Sequence, residues 1–161
     1  MITLTLRPIR PEDDPEIAAI IRTVMPEFGA VGDGFAIQDP EVDFISRAYS
    51  GPRAAYFVVE QAGRVVGGGG VGPLAGAAED VCELRKMYLL SEVRGTGMGE
   101  ALLKKCIEEA RRMGYSMMYL ETLSGMKAAQ RLYRRMSFER MTAPMGATGH
   151  HGCDQYYVLR L

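Results

Sequence analysis

Cysteine is scarce in this 161-residue chain: Cys82, Cys106 and Cys153 are odd in number, widely spaced and include no Cys-x-x-Cys pair. That pattern argues against a disulfide framework or a structural zinc site and favours a reducing compartment. Long apolar runs are missing as well. No stretch approaches the ~18 residues of a membrane span, and the N-terminus lacks the basic-then-apolar order of a leader peptide, so a cytoplasmic protein with no membrane partner is expected. Net charge is −1 at neutral pH, too small for a nucleic-acid binder held by its overall field. With no internal repeat, linker or low-complexity tract, residues 1–161 read as one domain. What is present is a globular profile, 47% hydrophobic and 24% charged. A chain of this length buries roughly 70% of the surface its unfolded form exposes, enough for one sizeable core without staples.

The near-neutral total hides an asymmetry. Residues 1–50 carry four Lys or Arg against nine Asp or Glu, residues 51–100 five against six, and residues 101–161 ten against five. Two solvated faces that differ by chance would give such a split. So would a protein that meets a cation on one side and an anion on the other.

Local patterns alternate strand and helix. Ile2, Leu4 and Leu6 alternate with polar residues, as in a half-buried strand. Asp14-Pro15 supplies an N-cap and first helical position for a stripe of Ile17, Ile20, Ile21, Val24 and Met25. Asp39-Pro40 repeats that signal, predicting a second helix with Val42, Ile45, Ala48 and Tyr49 on its buried face, after a Gly-rich loop from Phe28 to Phe35. Runs 55–60 and 64–71 flank Gln61-Ala62-Gly63 as a hairpin. The second run holds Gly67 to Gly70, which mark a bulge, a close approach or a flexible strand end. Residues 81–90 form the longest strand candidate, and an amphipathic helix follows with Leu102, Leu103, Cys106, Ile107, Ala110 and Met113 on one face. A strand over 116–121, a helix over 126–136 and strands over 138–141 and 155–161 complete a single α/β domain.

The sharpest chemical signal lies between the long strand and the clean helix, in Arg94-Gly95-Thr96-Gly97-Met98-Gly99. Glycines let backbone N–H groups turn toward one ligand, and the following helix adds its dipole and unpaired first-turn donors, so a phosphate is the natural guest. Arg94 can add a charge-assisted bond. The loop lacks Gly-Lys-Ser/Thr and the Gly-x-Gly-x-x-Gly spacing, and it follows four earlier strand candidates rather than the first, which argues against a nucleoside triphosphatase or a dinucleotide oxidoreductase.

Residues 94–99 match the Arg/Gln-x-x-Gly-x-Gly/Ala signature of the GNAT superfamily of acetyl-CoA-dependent N-acetyltransferases. Residues 83–89 resemble that family's central strand, and Ala129-x-x-Leu132-Tyr133-x-x-x-Ser137-Phe138 resembles its Ala-x-x-Leu-Tyr-x-x-x-Gly-Phe segment. The resemblance covers nearly the whole chain, with its specificity concentrated between residues 83 and 138. It implies an α/β (α+β) domain with a mixed sheet of about six to seven strands, a splayed parallel pair and about four helices. It also implies acetyl-CoA as co-substrate, with its pyrophosphate on residues 94–99 and its pantetheine arm on the backbone of Met87, Tyr88 and Leu89 and beside Ala129. Met126 stands where many members have an Asn that bonds that arm, and Ser137 where Gly is usual, which hints at a different turn.

For catalysis, Glu83 is the candidate base and Tyr133 the candidate acid for the leaving thiolate, with a backbone N–H near Met87 or Tyr88 as oxyanion donor. Glu83 lies four residues before Met87 and is expected on the same strand face, roughly 13 Å along it. Structurally it would pair with Arg85, and Tyr133 would be a core aromatic. Lys127, Arg131, Arg134 and Arg135 are candidates for the remaining CoA phosphate or a solvated basic face. His150, His151 and Cys153 lack a suitably spaced fourth ligand, so no metal is expected. The resemblance puts the first two helices over the acceptor, where Asp33, Asp39, Glu41 and Asp43 would favour a cationic amine. The expected partner is a small-molecule amine, with a homodimer possible by the resemblance; a non-catalytic acyl-CoA sensor of the same fold is the alternative.

Overall fold

The computed structural model describes residues 3–161, so Ile2 of the expected opening strand lies outside the described residues. The elements run β1 (Leu4–Pro8), α1 (Asp14–Glu27), α2 (Ile45–Ala48), β2 (Ala55–Gln61), β3 (Arg64–Pro73), β4 (Val81–Leu89), α3 (Met98–Arg112), β5 (Met117–Thr122), α4 (Lys127–Arg135), β6 (Glu139–Met141) and β7 (Gln155–Arg160). The seven strands form one sheet in the order β1-β2-β3-β4-β5-β7-β6. Every neighbouring pair is antiparallel except β4 and β5.

Strand period places helices on both faces. In β2, Phe57 and Val59 point to a core shared with α3 and α4, while Tyr56 and Val58 point to a core shared with α1 and α2. The apolar stripe of α3 is fully used: Leu102, Leu103 and Cys106 have no exposed surface, and burying a leucine side chain stabilises by about 2 kcal/mol. Among the described residues, no helix is long and apolar enough to cross a membrane.

Three local expectations change. The second helix is broken into 3-10 turns at Ala36–Gln38 and Pro40–Asp43 followed by the four-residue α2. Its cause lies in α1. Asp14 is the first helical residue rather than the N-cap, and its carboxylate accepts from the Ser46 backbone N (2.8 Å) and hydroxyl (2.6 Å), capping α2 from another element. Ser137 keeps the turn a glycine would make, in the left-handed region at φ 74°.

The third change sits in β4. Pairing with β3 runs Gly68↔Tyr88 and then Gly70↔Arg85, so β4 carries one extra residue. Lys86 absorbs it at φ 50°, and the buried Tyr56 hydroxyl donates to the Lys86 carbonyl at 2.8 Å. Gly68 is needed opposite, because a Cβ there would lie 2.7 Å from the Tyr56 ring. The bulge inverts the alternation. Leu84 and Met87 pack toward α3, whereas Glu83, Arg85 and Lys86 line a cleft on the other side. Glu83 and Met87 therefore do not share a face, contrary to the expectation from their spacing.

Candidate active site

Parallel pairing of β4 with β5 lasts only three residues, Val81↔Met117 to Glu83↔Tyr119. Beyond it the strands separate, and ligand-sized space opens at their carboxyl ends, where open α/β sheets bind ligands. Three neighbouring spaces lie there, the first two sharing several lining residues and the last two sharing Lys86.

The first is a cleft of about 370 Å³ between the glycine loop and α4. Gly95 (φ 75°) and Gly97 (φ 87°) both hold left-handed backbone, and Gly97 is the N-cap of α3 with no side chain over the first-turn N–H groups. Gly95, Gly97 and Gly99 line one wall, and Ala129, Arg131 and Arg135 the other, with Met87, Tyr88 and Leu89 along the floor. Arg94 also lines it, while its guanidinium bonds Glu27 (2.8 Å) and the Leu89 carbonyl (3.0 Å), tying the loop to the end of α1. Thr96 turns its hydroxyl into the loop, onto the Val93 carbonyl at 2.7 Å. Met98 packs against the core, and Lys127 and Arg134 stand apart from the cleft.

The second part is a small cavity of about 70 Å³ under that floor, walled by apolar side chains including Phe28, Phe35 and Leu120, and by Tyr88, Tyr133 and Cys153. Met126 and Ala129 border both spaces. Tyr133 is 6% exposed and wedged between the Phe138 and Tyr157 rings at 5.7 and 5.9 Å. Among the described residues its hydroxyl makes no hydrogen bond, and burial raises its pKa. Burial also pushes the Cys153 thiol up to about 12, so it is protonated at neutral pH.

The third part is a polar cleft of about 390 Å³ lined by Asp39, Glu41, Glu83, Arg85, Lys86 and His150. Glu83 is buried and accepts from Arg85 Nε at 2.8 Å. Burial raises its pKa above the ordinary carboxylate value, and Arg85 only partly opposes that. Lys86 Nζ donates to Asp39 (2.7 Å) and Glu41 (2.5 Å), and the Tyr49 hydroxyl donates to Glu41 at 2.7 Å. Burial acts to raise Asp39, but its bonds to His150 and Lys86 prevail and hold it low. Its partner His150, with Nε2 at 2.9 Å, is raised by that bond. Of the acidic residues expected near an acceptor, Asp39 and Glu41 line this cleft. Asp43 instead pairs with Arg22 at 2.8 Å, and Asp33 is exposed outside the cleft.

Sequence reasoning missed Glu121. It is the penultimate residue of β5, lines the small cavity, and has its carboxylate fixed by the Tyr119 hydroxyl (2.7 Å) and the Thr148 hydroxyl. Its place at the carboxyl end of a parallel-paired strand was the available signal. Oxygens of Glu83 and Glu121 and a ring nitrogen of His150 lie within 4.8 Å of one another. Each already has a hydrogen-bonding partner, Arg85, Tyr119 with Thr148, and Asp39 respectively. His150, His151 and Cys153 are not gathered into one set: His151 packs over Gly34, and Cys153 faces the small cavity.

The comparisons agree with this layout. The model described as "Acetyltransferase (GNAT) family" matches residues 17–138. An uncharacterized N-acetyltransferase of Escherichia coli (strain K12), YjgM, is 43% identical over 92% of this chain and 90% of its own. An uncharacterized N-acetyltransferase of Schizosaccharomyces pombe is 30% identical over 80% of this chain and 78% of its own. Among solved structures, a GNAT-family acetyltransferase of Staphylococcus aureus superposes with a TM-score of 0.84 at 18% identity, covering 98% of this chain and 99% of that one. A Salmonella typhimurium acetyltransferase with its cofactor acetyl-CoA gives 0.80 at 21%, covering 98% and 94%. With the split β4–β5 pair, the glycine loop and these matches together, the chain belongs to the GNAT family of acetyltransferases and is an acyltransferase.

Proposed function

We propose that the protein transfers the acetyl group of acetyl-CoA to the amine of a small molecule by direct attack. The observation that carries this reading is the succession of the three spaces, neighbours through shared lining residues and through the approach of Glu83 to Glu121. They lead from the uncapped α3 N-terminus, past Met87 to Leu89, to Tyr133 and on to the carboxylates Glu83 and Glu121. Residues 94–99 suit a pyrophosphate, and Met87, Tyr88, Leu89 and Ala129 suit the pantetheine arm. A related solved structure that holds acetyl-CoA supports that choice of donor. Met126 is apolar on its cavity side, so the arm meets a thioether there rather than an amide.

An amine of pKa ~10.4 is neutral in about one molecule in a thousand at neutral pH, so a base is useful. Glu83 or Glu121 takes the ammonium proton. The free amine attacks the thioester carbonyl, the C–N bond forms, and a backbone N–H at the Lys86 bulge steadies the oxyanion. The C–S bond then breaks, the Tyr133 hydroxyl gives its proton to the departing thiolate, and the second proton of the acylated nitrogen passes to the Tyr133 phenolate. Tyr133 suits this role because its hydroxyl is protonated and unengaged. Thiol release from acetyl-CoA over a panel of amines tests the reading. Tyr133→Phe is expected to lower kcat about 10- to 100-fold with CoA affinity retained by calorimetry; an unchanged kcat rules out the acid role.

A further inference from the structure

The polar cleft presents fixed charge of both signs, and most of it is already used. Lys86, whose side chain is 2% exposed, is held by Asp39 and Glu41, and His150 is held by Asp39. Arg85 differs. Its guanidinium lies over Gly72, where a Cβ would stand 2.6 Å from Nη1 and 3.0 Å from Cζ, so the absence of a side chain at 72 makes its bed. Nε serves Glu83, Nη2 serves the Pro73 carbonyl, and the Tyr49 side chain lies alongside. Nη1 has no carboxylate or carbonyl partner among the described residues, its polar neighbour being the Tyr49 hydroxyl, which itself donates to Glu41. Arg85 lines the polar cleft, and no buried polar side-chain atom of the described residues lacks a partner, so Nη1 is not sealed from solvent.

Arg85 and Glu83 stand two residues apart on one face of β4 and form an ion pair at 2.8 Å, with Glu121 close to Glu83 at the entrance to the small cavity. The cleft therefore offers a carboxylate pair on the side of the acyl group and a donor-rich guanidinium beside it. We propose that the acceptor is a small amino-carboxylate of the α-amino acid class. Its ammonium lies over Glu83 and Glu121 and its carboxylate on Arg85 Nη1, antiparallel to the built-in ion pair. This rests on the acetyltransferase reading above and names its acceptor class. A diamine would set a second ammonium against Arg85, and a peptide N-terminus would offer an amide where the guanidinium calls for an anion.

The chemistry balances with this acceptor. The ammonium loses one proton to the carboxylate pair, its nitrogen bonds the acetyl carbon as the C–S bond breaks, the thiolate takes the Tyr133 proton, and the second proton leaving the acylated nitrogen returns to the Tyr133 phenolate. The product is an N-acetyl amino acid that has lost its positive charge and kept its negative one. It faces Glu83 and Glu121 with no cation to offer them, which favours release.

The test compares the twenty protein amino acids with their α-carboxamides and decarboxylated amines, by thiol release from acetyl-CoA with the unaltered protein. At least one amino acid is expected to exceed its own amide and amine by about tenfold or more in kcat/KM, the margin set by a charged partner that only the acid satisfies. In Arg85→Gln that preference collapses to within about twofold, and in Arg85→Lys, which keeps charge but not the fork, it survives in part. Amides or amines used as well as the acids overturn the proposal. Calorimetry of the same acids and amides against CoA-loaded protein separates the two readings. Acid-selective binding without thiol release defeats acetyl transfer and sustains the acceptor class; thiol release on amines without acid selectivity does the reverse.

Discussion

Ser137 holds φ 74° one residue past the C-cap of α4, a conformation that crowds a Cβ and suits glycine. Ser137→Gly should therefore stabilise the protein by about 1 kcal/mol and raise Tm by roughly 2–4 °C, leaving turnover unchanged; an unchanged or lower Tm would show that the strain is relieved elsewhere. Glu83 carries the residue-scale prediction for pH. Burial raises its pKa, and a base acts only when deprotonated, so kcat/KM climbs with pH through a value above the ordinary carboxylate range. After correction for the acceptor's own ionisation, the acid limb should lie above pH ~4.5 and vanish in Glu83→Gln together with most of the rate. A limb that persists in that variant assigns the proton to Glu121 instead. The left-handed backbone at Gly95 and Gly97 was legible in sequence because its demand is local, whereas Tyr133 was singled out only through the family resemblance. Glu121 was not, since its importance comes from where β5 parts from β4.

At the scale of elements, the strand was legible in β4 and the bulge was not, although a trace of it is written there. The α3-facing positions run Cys82, Leu84 and then Met87, a shift of phase that a strict period of two does not allow. That shift separates Glu83 from Met87 and turns Lys86 toward Asp39 and Glu41. The second helix failed for a different reason, because its cap comes from Asp14, 32 residues upstream of Ser46, and no local pattern reports such a bond. The bulge depends on the Tyr56 hydroxyl, which satisfies the Lys86 carbonyl that the broken ladder frees. In Tyr56→Phe that buried carbonyl loses its partner at a cost of about 1–3 kcal/mol. The expected result is a Tm lower by several degrees and a reduced kcat, as the backbone beside Met87 relaxes, with CoA binding largely kept; a Tm within one degree of the unaltered protein would show the bulge holding itself.

Over the whole molecule, the uneven charge of the sequence acquires a spatial meaning in part. From the acidic first fifty residues, Asp39 and Glu41 reach the polar cleft and Glu27 meets Arg94, while Asp43 is consumed by Arg22 at the surface. From the basic last third, Arg131 and Arg135 line the cleft beside the glycine loop, while Arg134 turns toward the Tyr157 hydroxyl. Only two cationic side chains of α4 are thus placed for the phosphates beyond the glycine loop, and both are exposed, so salt screens them within a Debye length of ~8 Å at physiological ionic strength. Arg135 already leans on Glu100 at 3.9 Å, which leaves Arg131 the freer charge. If these two hold the ribose phosphate of CoA, acetyl-CoA should bind more tightly than acetyl-dephospho-CoA, and the advantage should shrink as salt rises. In the double variant Arg131→Gln, Arg135→Gln the two donors should become nearly equivalent in KM, with kcat retained because Tyr133 and the carboxylates are untouched. An advantage that survives the double variant would move the phosphate off α4 and return its basic face to solvent.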